Sequence, residues 1–167
     1  MGYSAFDKMP PKFSDFIIGH VAGLVAEKTE QNIWEGVNAN AGEFDGLVTL
    51  ALADADVVDV ASHAAVTAAN VIDKLGSIVD AVPSALYNKE DLHIYVSQNI
   101  ARAYVRALGG FATSIGSNGV NAQGTQWYNA GGQLSFDGVK IFVANGLADD
   151  TAMAAQKSNL YFGTGLL

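Results

Sequence analysis

One stretch of twenty residues constrains the fold more than any other part of the chain: DLHIYVSQNIARAYVRALGG, at residues 91–110. In its first part Leu92, Ile94 and Val96 alternate with more polar residues, which is the period-two pattern of a strand with one apolar face. We therefore expect a buried strand over residues 92–96.

The residues after this strand change to a helical spacing. Apolar side chains recur three and four residues apart over 98–108, while Arg102 and Arg106 lie four apart on another face. Ser97 is a favourable N-cap, because its hydroxyl can accept a hydrogen bond from an amide of the first turn. Two glycines follow residue 108 and favour a helix end there. The stretch predicts a strand that runs directly into a helix, a rigid unit on which other segments pack.

Two other segments also have helical periodicity. A long helix is predicted over 13–34, where apolar residues keep one face at spacings of three and four. At about 1.5 Å per residue it would span roughly 30 Å, which is long for so small a domain. A second helix is predicted over 67–82 and ends at Pro83, because proline cannot continue a helix.

Short apolar runs between turn signals predict the remaining strands. Asp137-Gly138 lies between two such runs and is a strong signal for a two-residue hairpin, and Asn145-Gly146 marks a further turn. With helices packed on a sheet, the expected fold class is α+β. The predicted strands besides 92–96 are 47–52, 57–60, 134–136, 139–143, 152–155 and 160–162.

Two segments are predicted to be loops, because glycine, asparagine and serine are concentrated in them. The first covers residues 36–46. The second covers residues 111–132, which we expect to be exposed and mobile.

Composition excludes several classes of protein. The chain has 167 residues, enough for one sizeable core with an appendage, and half of them are hydrophobic. A net charge of -8 with nine scattered Lys and Arg argues against a nucleic-acid-binding surface. Without cysteine there are neither disulfides nor thiolate metal sites. No signal peptide or stretch of ~18 apolar residues is visible, so we expect no membrane contact and a soluble protein, intracellular where it is made.

The side chains that could carry chemistry do not form a familiar site. His20, His63 and His93 are far apart, and His20 lies on the apolar face of the first helix, so a core or interface histidine is favoured over a metal ligand. Arg102 and Arg106 could bind an anion, but a solvated or interface helix face is the better interpretation.

An acidic run, DADVVD at residues 54–59, has a faint likeness to the start of a calcium loop. Asp59 stands where that loop needs glycine and Ala65 where it needs glutamate, so a solvated acidic turn is favoured. Nucleophile-elbow, phosphate-loop and dinucleotide-binding motifs do not occur. We therefore expect neither an enzyme nor a bound cofactor or metal.

Three stretches of the sequence nevertheless resemble a known family. The stretch at 91–110 resembles a strand–helix unit of that family's axial domain. The closing run GVKIFVANGLADDTAMAAQKSNLYFGTGL, at 138–166, is similar to its strand, acidic-tipped turn, small-residue strand and final NLYFGT segment. FSDFIIGHVAGLVAEKTEQNIWEG, at 13–36, resembles its long spine helix. The family is the major capsid protein of tailed bacteriophages, which has the HK97-like fold.

The resemblance implies both a fold and a function. It implies a spine helix with a peripheral-domain remnant over 1–60 and an axial-type α+β domain over 61–167. It also implies a noncatalytic subunit that self-assembles with copies of itself into an icosahedral head, in the host cytoplasm, and that resides in the virion. The expected subunit-interface residues are Phe13, Phe16, Ile17, Val21, Leu24, Arg102 and Arg106.

The sequence also departs from the family pattern. The family's N-terminal arm and extended loop, and a last peripheral-domain strand after Leu167, have no counterpart, so we expect a fragment, a processed form or a shortened relative. The crosslink of some members has no matching lysine or asparagine here. Two alternatives remain. One is an encapsulin-like nanocompartment shell, which a cargo-docking groove on the inner face would indicate. The other is a small soluble enzyme, which a pocket of converging polar groups would indicate.

Overall fold

A computed structural model describes residues 13–60, 65–87, 89–108 and 134–163. These residues form helices packed on one sheet, so the predicted α+β class is confirmed. The helices are α1 (Phe13–Glu35), α2 (Leu47–Ala53), α3 (Val71–Ala81), α4 (Ser84–Tyr87) and α5 (Gln98–Ala107). The strands are β1 (Leu92–Val96), β2 (Ser135–Phe136), β3 (Val139–Val143) and β4 (Ala152–Gln156), and a 3₁₀ turn, Lys157–Asn159, follows β4.

The sheet has the strand order β2-β3-β1-β4. β1 is parallel to β3, with Ile94 opposite Ile141, and antiparallel to β4, with Ile94 opposite Ala154. β2 and β3 form an antiparallel hairpin. The prediction that residues 92–96 and 139–143 belong to one sheet is therefore confirmed, and the structure shows that they are neighbours in it.

The core lies on one face of this sheet. Leu92, Ile94 and Val96 point to that face, as their alternation predicts, and Ile94 and Val96 are fully buried. α3 and α5 cover them, and both predicted helices are thus confirmed as packing on the sheet. Other core side chains come from α3, α5 and β3: Val71, Leu75, Val79, Ile100, Tyr104, Val105, Val139 and Ile141.

Ser97 occupies the predicted N-cap position of α5, but its hydroxyl makes no capping bond. The side chain is fully buried and donates instead to Asn99 Oδ1, at 2.6 Å. Asn99 in turn donates from Nδ2 to Asp150 Oδ1, at 2.7 Å, and accepts from the Asp150 amide. The predicted capping bond is wrong because this network, which ties α5 to the turn before β4, uses the hydroxyl.

Asp91 joins β1 to the end of β4. Its carboxylate accepts hydrogen bonds from Ser158 Oγ, at 2.5 Å, and from Gln156 Nε2, at 3.1 Å. These bonds favour the ionised form, the Ser158 hydroxyl most strongly, and lower the pKa of Asp91. The Asp91 carbonyl also accepts from the Lys157 amide, at 2.8 Å. Both the backbone and the side chain of Asp91 therefore hold the end of β4 against β1.

The hairpin between β2 and β3 has the predicted turn. Asp137 and Gly138 both have positive φ, 47° and 79°, as a type I′ turn requires. Tyr87 Oη donates to the Asp137 carbonyl at 2.6 Å, and Tyr104 Oη donates to the Ser135 carbonyl at 2.7 Å. Two tyrosines from the helical layer therefore fix the hairpin.

Three predicted strands are wrong. Residues 47–52 lie in α2, because the helix propensity of their leucines and alanine outweighs the strand propensity of the β-branched Val48 and Thr49. Residues 57–60 have no regular structure and no strand partner among the described residues, and Val57 and Val58 are exposed. Residues 160–162 are also irregular, because the 3₁₀ turn after β4 leads the chain off the sheet.

Other predictions differ in detail or lie outside the described residues. The helix predicted from residue 67 begins at Val71, since Asn70 Oδ1 accepts from the Thr67 amide and a turn precedes the helix. The long helix over 13–34 is confirmed as α1, and 152–155 as β4. The loop predicted over 111–132 and the two glycines after residue 108 lie outside the described ranges.

Two glycine-to-alanine substitutions should have opposite effects on stability. Gly138→Ala should lower the free energy of unfolding by about 1 kcal/mol, because a Cβ disfavours positive φ. Gly76→Ala, inside α3 and with open space at the Cβ position, should raise it by up to about 1 kcal/mol through helix propensity. Urea unfolding of both variants beside the parent chain measures this, and equal signs would contradict the turn assignment.

Candidate functional site

The predicted interface side chains of α1 are exposed in the single chain. Every residue from 13 to 31 is exposed, and only the last turn of the helix is buried or partly buried. The exposed fraction of its large apolar side chains ranges from 41% at Ile17 to 78% at Phe13. We call the exposed apolar surface of this helix the α1 stripe; its members are Phe13, Phe16, Ile17, Val21, Leu24 and Val25.

The α1 stripe is broad, and Ile18, 66% exposed, extends it beyond the predicted set. Contiguous exposed apolar surface of this kind marks interaction sites in soluble proteins. Among the residues described, no helix combines the length and hydropathy needed to span a bilayer.

The described histidines occupy different environments. His20 lies on the α1 stripe, exposed, with its ring stacked on that of Phe16 at a centroid distance of 6.4 Å. It is therefore no core histidine in this chain, and the predicted interface role stays a prediction. His93 is buried, and its Nδ1 lies 2.8 Å from the Asp91 carbonyl. His63 lies outside the described residues, among which no group of His, Asp and Glu could hold a metal ion.

The last turn of α1 attaches to the sheet face opposite the core. The Trp34 ring packs on that of Tyr95 at a centroid distance of 5.2 Å. Glu35 Oε1 accepts a hydrogen bond from the Ala148 amide, at 2.7 Å. A few contacts at one end thus hold a helix of 23 residues.

Close backbone contact at Gly146 makes this attachment possible. A Cβ at Gly146 would lie 2.5 Å from the Glu30 carbonyl oxygen and 2.8 Å from Trp34 Cδ1. The backbone also makes a close contact at Gly46, whose amide donates to the Gly36 carbonyl at 2.9 Å. A turn at Asn145-Gly146 was predicted from sequence and is present, but its contact with α1 was not predicted.

A polar cluster holds the loop after α1. Lys28 Nζ on α1 lies 2.9 Å from Glu43 Oε1, and Asn40 Nδ2 donates to Glu43 Oε2 at 3.0 Å. The Asn40 bond contributes most, followed by those from Lys28 and the Val37 amide, and together they lower the pKa of Glu43 to about 2. The lowered pKa keeps the carboxylate ionised, and so able to accept these hydrogen bonds, well below the usual range of a glutamate.

The two predicted arginines are not part of the α1 stripe. Arg102 and Arg106 are exposed on the outer side of α5. α5 covers the sheet face of Ile94, whereas Trp34 lies on the face of Tyr95. The structure thus places the predicted interface residues on opposite sides of the sheet. Within the described part of the chain, neither arginine forms an ion pair.

One groove was missed by sequence reasoning. It has a volume of about 630 Å³ and lies between α2, α3 and β4, with a mainly aliphatic lining. The acidic run at 54–59 borders it and is exposed, with Asp54 Oδ1 accepting from the Asp56 amide at 3.0 Å. The wrong strand prediction over 47–52 hid this groove, because α2 forms one of its walls.

Gly146→Ala should loosen the attachment of α1. Forcing a methyl group against the Glu30 carbonyl costs about 1–3 kcal/mol of overpacking. Hydrogen exchange of the Ala148 amide, which is bonded to Glu35, should become faster. Gly19→Ala, at an exposed α1 position with open space around it, is the control and should leave that amide unchanged. Unchanged protection in Gly146→Ala would show that this contact does not hold the helix.

The attachment of the loop should depend on pH through Glu43. Because its folded pKa is lowered to about 2, the stabilisation is complete above the unfolded value and is lost as the pH falls towards 2. A carbon-detected titration of the Glu43 carboxyl should show this, with Asn40→Ala moving the midpoint upwards. A midpoint near that of a free glutamate in the parent chain would contradict the cluster.

No family model matches the chain, and no curated protein or solved structure matches it significantly. The function proposed below therefore depends on the residues of this chain and their arrangement.

Proposed function

We propose that the chain is a structural shell subunit, the major capsid protein of a tailed bacteriophage or a part of one, with the HK97-like fold. In this proposal α1 is the spine helix, and the sheet with α3 and α5 is the axial-type domain. The chain would act by repeated contacts with copies of itself and reside in the virion.

The α1 stripe is the observation that carries the proposal. A helix of 23 residues, roughly 35 Å long at 1.5 Å per residue, contacts the rest of the described chain near its C-terminal end, through its last turn, Glu30 and Lys28. The rest presents large apolar side chains to solvent, which favours burial against another molecule. A lattice subunit needs such an extended contact element, since its neighbours recur at fixed positions.

The body of the chain supports the same interpretation. β1 and α5 form a compact strand–helix unit at the centre of the core, and β3 and β4 follow with the turn between them. These are the elements whose sequence resembles the capsid family. The body gives α1 a rigid base, because Trp34 and Glu35 both contact it directly.

The double substitution Ile17→Asp with Leu24→Asp should abolish self-association while leaving the body folded. Both side chains lie on the α1 stripe, and burying two carboxylates at an apolar contact is costly. Sedimentation velocity should show the parent chain as an associated species and the double variant as a monomer. Thermal unfolding should be nearly unchanged, because neither side chain touches the core around Ile94.

The matched control is Gly19→Asp with Ala26→Asp. These positions have the same seven-residue spacing on the same helix, are also exposed, and lie on the opposite side of α1. The control should stay associated, and negative-stain imaging should show closed particles for it and for the parent. Persistent association of the Ile17 and Leu24 variant, or loss of protected amides over 92–108 in it, would overturn the proposal.

A further inference from the structure

β4 leaves one edge of the sheet open, and the ladder fixes which of its residues face outward. The Ser97 amide donates to the Thr151 carbonyl at 3.1 Å, and the Lys157 amide donates to the Asp91 carbonyl at 2.8 Å. Hydrogen-bonded pairs alternate along an antiparallel ladder, so residues 151, 153, 155 and 157 bond to β1. The N–H and C=O groups of Ala152, Ala154 and Gln156 therefore point away from the sheet.

These outward groups have no backbone partner among the described residues. The strand AMAAQ also lacks the charged side chains, prolines and bulges that usually protect an edge. Its five residues are all partly buried. Unpaired backbone groups in such a position favour a new hydrogen-bonding partner.

The groove described above runs along this edge. All five residues of β4 line it on one side, and α2 and the acidic run at 54–59 line it on the other. Because α2 and the acidic run line the space opposite β4, a single segment fits it better than the sheet of a second copy, which would suit a flat, fully open edge. Aliphatic side chains cover its floor and walls: Leu47, Ala51, Leu75, Ile78, Leu86 and Leu160.

The rim of the groove is acidic. Asp54, Asp56, Asp59 and Asp150 line it, against a single lysine, Lys74. Asp150 already accepts from Val66 and Asn99, but the carboxylates of Asp56 and Asp59 are exposed and accept no hydrogen bond within the described ranges. An occupant with lysine or arginine beside apolar residues would match this charge.

We propose that this groove binds an extended peptide segment of a partner protein, with alternating apolar residues and flanking Lys or Arg, which adds to β4 as a fifth strand. Only an extended backbone presents donors and acceptors at the spacing of Ala152, Ala154 and Gln156, because a helix uses its own. Alternate side chains enter the aliphatic slot, and the basic residues lie against the acidic rim. This binding is independent of the proposed shell function.

A synthetic peptide, KVTVTVK with blocked ends, tests the proposal on the full chain. On binding, amide exchange at Ala152, Ala154 and Gln156 should slow, whereas Met153 and Ala155 already bond to β1 and should change little. A peptide of the same sequence with N-methyl groups on alternate amides keeps the side chains but cannot complete the ladder. It should bind about tenfold more weakly or worse.

Ala154→Pro removes an outward N–H without touching the bonds to β1, and proline is tolerated at such edge positions. It should weaken peptide binding by about tenfold while thermal unfolding confirms the fold. A second variant needs no backbone change: Asp56→Asn with Asp59→Asn should weaken binding and flatten its salt dependence. Asp73→Asn with Asp80→Asn, exposed on α3 outside the groove, is the matched control.

Four outcomes would overturn the proposal. The first two are that the peptide does not bind, or that its N-methylated form binds equally well. The third is that the peptide slows amide exchange along β4 without the alternation between outward and inward residues. The fourth is that the groove variants and the control variant bind the peptide with equal affinity. Concentration-dependent protection of Ala152, Ala154 and Gln156 without peptide would show instead that a second copy occupies the edge.

Discussion

The pairing of β1 with strands on both sides is the constraint on which the rest of the structure depends. β3 and β4 both take their register from it, with Ile141 and Ala154 opposite Ile94. Its core face supports α3 and α5, and its other face supports the last turn of α1. A shift of one residue in β1 would exchange these two faces, so the helical layer and the attachment of α1 depend on the same register.

The two faces of the sheet are occupied very differently. The core face is closed by aliphatic side chains and by Tyr104, whereas the other face carries the aromatic contacts of Trp34, Tyr95 and Phe142. Phe142 remains partly exposed, and α1 leaves the sheet after one turn of contact. Stability therefore comes mainly from one layer, while the surfaces available for association lie on α1 and beside β4.

Sequence reasoning was most successful where periodicity and turn chemistry agreed. The β1–α5 unit, α1 and the Asp137-Gly138 hairpin were all predicted, because each has a strong local pattern. Residues 47–52 were not, since a seven-residue helix has too few turns to show its period. The Ser97 hydroxyl was predicted to accept a hydrogen bond from an amide of the first turn, but it donates to Asn99. Asn99 is held in place by Asp150, a residue that comes near it only in the folded chain.

The candidate site was predicted in part for similar reasons. The exposure of the apolar residues of α1 could be expected, because the apolar stripe is too long for the core of a chain of this length to cover. The separation of Arg102 and Arg106 from that stripe, and the close contact at Gly146, depend on how distant segments meet. No local pattern contains that information. The groove beside β4 was missed for the same reason.

The strand order also has a consequence for synthesis on the ribosome. β1 obtains its neighbours only from residues 139–143 and 152–156, more than forty positions later in the chain. Until these residues leave the exit tunnel, Leu92, Ile94 and Val96 have a helix beside them but no neighbouring strand. A nascent chain that ends before residue 139 therefore exposes an apolar strand with unpaired edges. Such long-range pairing slows folding. The chain thus depends on its last quarter for completing a core that begins near its middle.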